Sequence, residues 1–545
     1  MSLSLPNFMP LLMSFNGTAE PGSYSVAGIL AALLGIIFLA TTRQSRFQRV
    51  GKPWLLSLLS GRNAMSFTIE KHVQDGYTKI TKQTGKPFVM KWWAIDYVFL
   101  PPKYLRDLKR AGTHSLSFFE NISEAFSLNA SVGNLYSSEL MINVVKRGIN
   151  TRLPKLIPLL NEERDYAFMT EIGSPTEWKQ FSAATLFGDV MHRTTSRILI
   201  GPELCRDEIY LSSSKTLANS IFINGLIMTM LPLGPFRRVA CYLLSVFHRM
   251  NLRRAMKAIL PVVEQRFNEF QTRSQAWNEK DREAQLDAIE WSLELSKGNP
   301  AEHNPHWIAL SLLHNLWAGS AAPGGLVTQM AFQVLYEPQY LDPLRHEAKE
   351  AFRNHGVTDK ALNSMVLLDS FIRELNRLYP TGAVTCARTV MDPAGFQFHD
   401  GLTLPRGSRI GIPALAIQTD PENFRDPLAF DGFRFARLSA TAAEEKEDGG
   451  GGEDGEQKWG AATVSETNLA FGYGKHACIG RFYAVRKAKL IFSKLIMEYD
   501  LKWEGAEERP ASLSVNGQFA PNQSQKIFLK KRVASSESKE GQESL

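Results

Sequence analysis

Residues Phe471–Arg481 read FGYGKHACIGR. One thiol, Cys478, stands among three glycines, with His476 two residues upstream and two cations, Lys475 and Arg481. A thiolate can serve as a nucleophile, a metal ligand or a redox centre. A nucleophile needs a base that the fold brings close, and a histidine two residues away does not ensure that its ring faces the sulfur. A disulfide or zinc site needs further cysteines at paired spacing; Cys205, Cys241 and Cys386 are far apart in the chain. The glycines point elsewhere. Gly474 and Gly480 let the backbone turn tightly and approach a flat object closely. Amides around Cys478, and a helix beginning near Ile479, would stabilise a thiolate. Phe471 would pack on a flat apolar ring. These are the needs of a thiolate axial to heme iron.

The pattern F-x-x-G-x-[R/H]-x-C-x-G, met by Phe471, Gly474, His476, Cys478 and Gly480, resembles the heme-binding signature of the cytochrome P450 family. Glu374-Leu375-Asn376-Arg377 matches the family's E-x-x-R about a hundred residues earlier. FDGFRF, Phe430–Phe435, resembles the segment that adds a third charge, Arg434, with Gly432 where a proline is usual. The resemblance implies roles. Cys478 is the iron ligand of a b-type heme. His476, Arg388 and Lys146 meet the heme propionates. Glu374, Arg377 and Arg434 form a structural network behind the heme. GPELCR and FGYGKHACIGRFYA look most like filamentous-fungal members from secondary metabolism.

Leu316–Gly325, LWAGSAAPGG, occupies the place of the family's oxygen-binding helix. An acid and an alcohol usually follow the glycine there. Here Gly319 is followed by Ser320, then Ala321 and Ala322 at the acid and alcohol positions, then Pro323. Neither alanine can move a proton. Pro323 lacks an N–H, so the Gly319 carbonyl loses its i+4 donor. That carbonyl and Ser320 are expected to hold a water for the relay, with a substrate hydroxyl completing it.

These residues need a frame. Helical periodicity covers 146–160, 255–271 and 368–378, and 305–336 reads as an apolar helix interrupted by Pro323 and Gly324-Gly325. Strand-like runs fall at 384–390 and 409–412. The expected fold is mainly α with a small β region, behind one transmembrane helix. Gly22–Thr42 is uncharged and, as a helix, spans about 30 Å, the thickness of a bilayer core. Arg43, Arg46, Arg49 and Lys52 follow it, which places the chain beyond in the cytosol and residues 1–21 across the membrane. Asn16 is then a lumenal glycosylation candidate. A basic linker, 43–60, leads to a catalytic domain over 61–531. Residues 440–460 are acidic and Gly-rich and read as a disordered insert, as does the tail 532–545.

The net charge of +7 comes from bases scattered among acids, which excludes a nucleic-acid surface and suits an acidic partner or a membrane. The resemblance implies a monooxygenase that takes electrons from NADPH through cytochrome P450 reductase, docked near Arg481, Arg486, Lys487 and Lys489. Ser115–Phe126 and Ser220–Pro235 sit where the family roofs its pocket, and their apolar content suits a terpenoid or polyketide. The endoplasmic reticulum is the expected membrane. Two alternatives stand beside this: a heme-thiolate isomerase or dehydratase that cleaves no oxygen, and a heme sensor without turnover.

Overall fold

The computed structural model describes residues 46–51, 69–93, 95–230, 237–272, 286–447, 459–504 and 508–533. The anchor segment, Asn16 and the tail beyond 533 lie outside them. Among the described residues no helix is long and apolar enough to cross a membrane. The helices that frame the site are α1 (Leu105–Arg110), α2 (Phe118–Phe126), α3 (Ala183–Leu199), α4 (Glu208–Met230), α5 (Val246–Thr272), α6 (Pro305–Tyr336), α7 (Val366–Leu378) and α8 (Arg481–Glu498).

Helix α6 is the axis of the fold. Asn304 caps it by accepting the Trp307 N–H, and Pro305 sits where no N–H is needed. The expected interruption at Pro323 does not occur; the helix runs through it. Gly324 shows why α3 can pack so closely: a Cβ there would lie 3.2 Å from Gly188 Cα. Helix α8 also packs along α6, and α4 and α5 lie against each other and against it.

The main sheet has six strands in the order Gln48–Arg49, Phe88–Trp92, Ile95–Phe99, Arg409–Ile412, Thr385–Val390, Leu116–Ser117. Four of them come from the first quarter of the chain, so the β region is not confined to its last third. A smaller sheet joins Lys179–Ser182 to Tyr499–Lys502 through Lys526–Lys531. Part of the stretch expected to be a disordered insert is helical. Residues 440–447 continue the helix Arg434–Glu447, whose propensity is high, and 448–458 lie outside the described residues.

Candidate active site

The cysteine loop is shaped by a close neighbour. Gly474 has φ +71°, and a Cβ there would lie 2.4 Å from Lys109 Cα in α1. Glycine is required twice over. The Cys478 N–H donates to the Phe471 carbonyl at 2.7 Å, which closes the loop. Burial raises the thiol pKa, opposed by the Gly480 and Arg481 amides and the Arg481 charge, all of which face the sulfur. Cys478 is nonetheless solvent-accessible. Gly480 corrects one expectation. Its φ is −86°, and a Cβ would meet only Val145 Cγ1 at 3.9 Å, so no forced turn explains it.

Two polar groups face the same loop. Arg388 is 4% exposed, and among the described residues its guanidinium finds carbonyls and no carboxylate: Ala387 O at 2.7 Å and His476 O at 3.4 Å. A register shift between Thr385 and Arg388 re-aims this strand. His476 Nε2 is buried without a partner, while the backbone of Ala111 and Gly112 lies close to the ring. Burial, then the Arg388 charge, lowers its pKa to about 4. Lys146 is exposed on the turn Val144–Ile149, whose Val145 touches the loop, and Asn150 ties that turn to the Ile479 carbonyl at 2.8 Å.

Behind the loop, the three charges read from the sequence meet. Arg377 grips Glu374 with two bonds of 2.8 and 2.7 Å, and Arg434 reaches the same carboxylate at 3.2 Å. Glu374 is fully buried and also accepts the Asp431 N–H at 3.1 Å. Arg377 further binds the carbonyls of Gln418, Pro427 and Ala429. The unusual Gly432 has a local cause. A Cβ there would lie 2.8 Å from Tyr340 Cε1, and the Gly432 N–H donates to the Tyr340 hydroxyl at 3.1 Å. A proline could make neither arrangement.

On α6, Ala318, Ala321 and Ala322 are exposed to open space, while Ser320 and Pro323 are buried. Ser320 turns away: its hydroxyl donates to Leu316 O at 2.6 Å and lies 3.4 Å from His192 Nδ1. The Gly319 carbonyl is taken as well, by Lys487 Nζ at 2.9 Å and Thr195 Oγ1 at 3.3 Å. The water site expected from Gly319 and Ser320 is therefore absent from the alanine face.

The sequence model of the family described as cytochrome P450 matches residues 143–528. The chain belongs to the cytochrome P450 family. Cytochrome P450 monooxygenase sirB of Leptosphaeria maculans is 38% identical, over 91% of this chain and 93% of its own. Cytochrome P450 monooxygenase BOA4 of Botryotinia fuckeliana is 28% identical over 82% and 86%. An ent-kaurene oxidase of Gibberella intermedia is 25% identical over 84% and 83%. The solved structure of retinoic acid bound cyanobacterial CYP120A1 shares the fold, with TM-score 0.58 and 15% identity over 84% of this chain and 94% of that one. The chain is a cytochrome P450 monooxygenase resembling fungal members.

The residues present fit the heme that this P450 family implies. An accessible thiol, a buried guanidinium without a carboxylate and a bare imidazole nitrogen belong to one loop and the strand that bonds to it, and an anionic ring with an iron centre answers all three. The cations beside it differ from those expected. Lys487 and Lys489 are 1% and 0% exposed; Lys489 binds Asp369 and two carbonyls, so neither lies on a docking surface. Arg486 pairs with Asp359 at 2.8 Å. Arg106, Lys109 and Arg110 of α1 join Lys475 and Arg481 around a concave surface, with one acid, Glu466. Sequence reading missed α1. Its LRDLKR, ahead of a glycine-rich loop far downstream, carries basic spacing but no sign of that proximity.

Proposed function

We propose that this P450 is a membrane-anchored, heme-thiolate monooxygenase of fungal secondary metabolism. It takes electrons from NADPH through an acidic flavoprotein reductase and oxidises an apolar terpenoid, polyketide or related small molecule. The gathering of Cys478, Arg388 and His476 about one loop carries the reading. Cys478 ligates the iron. Arg388, His476 and Lys146 meet the propionates, and a carboxylate beside His476 raises its proton affinity. Bound there, the heme supplies oxygen activation with electron density pushed from the sulfur.

The chain's own residues set the rest. The amides of Gly480 and Arg481 steady the thiolate. Ala318, Ala321 and Ala322 offer an apolar floor, and proton delivery falls to water or a substrate hydroxyl. Arg106, Lys109, Arg110, Lys475 and Arg481 form the reductase dock, complementary to an acidic surface. Residues 22–42 span the endoplasmic reticulum membrane with the catalytic domain cytosolic. A second contact supports this: Val239, Tyr242, Leu243, Val246, Phe247 and Met250 are all exposed within twelve residues. Such a patch marks a bilayer or partner surface.

The test is turnover of candidate pathway intermediates by membranes carrying the enzyme and its reductase, under oxygen-18 gas. The reading expects one labelled oxygen in the product with NADPH consumed. Full turnover without oxygen or NADPH overturns it in favour of a rearrangement.

A further inference from the structure

Five non-glycine residues among those described have positive φ, and only Cys386 stands inside a strand, Thr385–Val390, at φ +51°. A left-handed backbone is unfavourable for a residue with a Cβ, so its surroundings must hold it there. Cys386 is 4% exposed. Its sulfur accepts from Thr385 Oγ1 at 3.8 Å, and the Tyr473 amide of the cysteine loop faces it. Cys386 and Tyr473 pack in one apolar cluster.

The strand carries one residue too many for its partner. Thr385 pairs with Ile412 and Arg388 with Ile410, so three steps on one strand answer two on the other. That is a one-residue bulge, of the kind whose left-handed position is ordinarily glycine. The extra residue decides which way Arg388 points. Side chains alternate along a strand, and residues paired across two strands share a face. Ile410 and Ile412 therefore share a face, and Thr385 and Arg388 share it with them. In a regular strand Arg388, three residues on from Thr385, would point to the opposite face. With the bulge, its guanidinium lies 3.4 Å from the His476 carbonyl and 5.5 Å from the centre of the Phe118 ring.

We propose that Cys386 is a positioning residue for the heme: its left-handed backbone forms the bulge that turns Arg388 onto the face of the cysteine loop. This rests on the reading that Arg388 meets the propionates. A guanidinium held there opposes the extra positive charge of ferric iron, so its placement raises the reduction potential. Cys386 acts through Arg388 and not by touching the heme. Glycine would adopt the same φ without strain. The cysteine adds a sulfur that faces the Tyr473 amide, which ties the bulge to the loop it serves.

The test is the equilibrium reduction potential of substrate-free holoenzyme, with thermal unfolding and the reduced carbon-monoxide spectrum reporting the fold and the thiolate separately. Arg388→Gln removes the charge and should shift the balance toward ferric about ten-fold, which is about 59 mV for one electron. Cys386→Val, β-branched and strained at positive φ, should shift it the same way by most of that amount. Cys386→Gly, free to take φ +51°, should stay within about two-fold of wild type. Deleting Ala387 from Cys386→Val removes the extra residue, restores a regular ladder and leaves Arg388 two residues from Thr385, on the same face. The shift should then largely reverse, and heme loading should return if valine alone prevents it. A packing fault at residue 386 would not be cured that way. If Cys386→Val keeps the wild-type potential while Arg388→Gln is shifted, the role of Cys386 is overturned and the reading of Arg388 stands. A shift that Cys386→Gly shares, or one that the deletion does not reverse, overturns that role as well. No shift in Arg388→Gln overturns both.

Discussion

Lys487, on α8, donates to the carbonyl of Gly319 on α6 at 2.9 Å. That carbonyl is the one deprived of a helical donor by Pro323. A buried amine, held far below its usual pKa by burial, thus completes the backbone of α6. Thr195 Oγ1 takes a second hydrogen from the same amine. Lys487→Met leaves the carbonyl only the longer contact from Thr195 Oγ1 at 3.3 Å, at a cost of about 1–3 kcal/mol. Pro323→Ala returns the missing N–H, so the pair is coupled. Thermal unfolding of the two single variants and the double variant should show the double losing less than the sum, by about 1 kcal/mol. Additive losses would mean that the lysine serves the helix in some other way.

The charge network behind the heme should not tolerate a smaller cation. Arg377 uses its planar fork on Glu374 and on three carbonyls at once, which a lysine cannot reproduce. Arg377→Lys and Glu374→Gln each strand a buried group and should cost about 3–5 kcal/mol. Heme content per milligram of soluble protein is the readout. Normal heme loading in either variant would show that the network is dispensable.

Restoring the family's usual proline should harm this chain. Gly432→Pro drives a ring into Tyr340 and removes the N–H that Tyr340 accepts. A loss of about 1–3 kcal/mol is expected. Tyr340→Ala in the same background relieves the clash, so the double variant should recover part of it in thermal unfolding. A neutral or stabilising Gly432→Pro would contradict the reading.

Acid stability carries the mark of His192. It is 5% exposed, and burial lowers its pKa to about 3 from an ordinary 6.5. Above 6.5 both folded and unfolded states hold it neutral. Below 6.5 the unfolded chain binds a proton that the folded one refuses, so stability falls with pH down to about 3. The stability of wild type minus that of His192→Gln should therefore shrink by about 1.4 kcal/mol per pH unit below 6.5. Denaturant unfolding at pH 7.0, 6.0 and 5.0 measures it. A constant difference would place the charge on His192 in the folded state.

Short-range chemistry was legible in the sequence. Gly474 and Cys478 are related by a fixed offset within one loop, and Glu374 and Arg377 by one helical turn, so their identities carried their geometry. Long-range partners were not legible. Lys487 and Lys489 read as part of a docking face because charged side chains are rarely buried without partners, and the carbonyls and acid that hold them come from 120 or more residues away. The same is true of α1, whose cations reach the cysteine loop only through tertiary packing. Phe88–Phe99 had a readable signal in its apolar FVMKW and IDYVF runs, rich in β-branched and aromatic residues, and its pairing with Arg409–Ile412 did not.

The central claim is that Cys478 holds the heme iron through its thiolate. The most direct measurement is the absorption spectrum of the reduced carbon-monoxide complex, wild type against Cys478→Ser. Wild type should show the red-shifted Soret band of thiolate ligation, and the serine variant should lack it while still folding. The band persisting in Cys478→Ser would hand the iron to another residue and contradict the account.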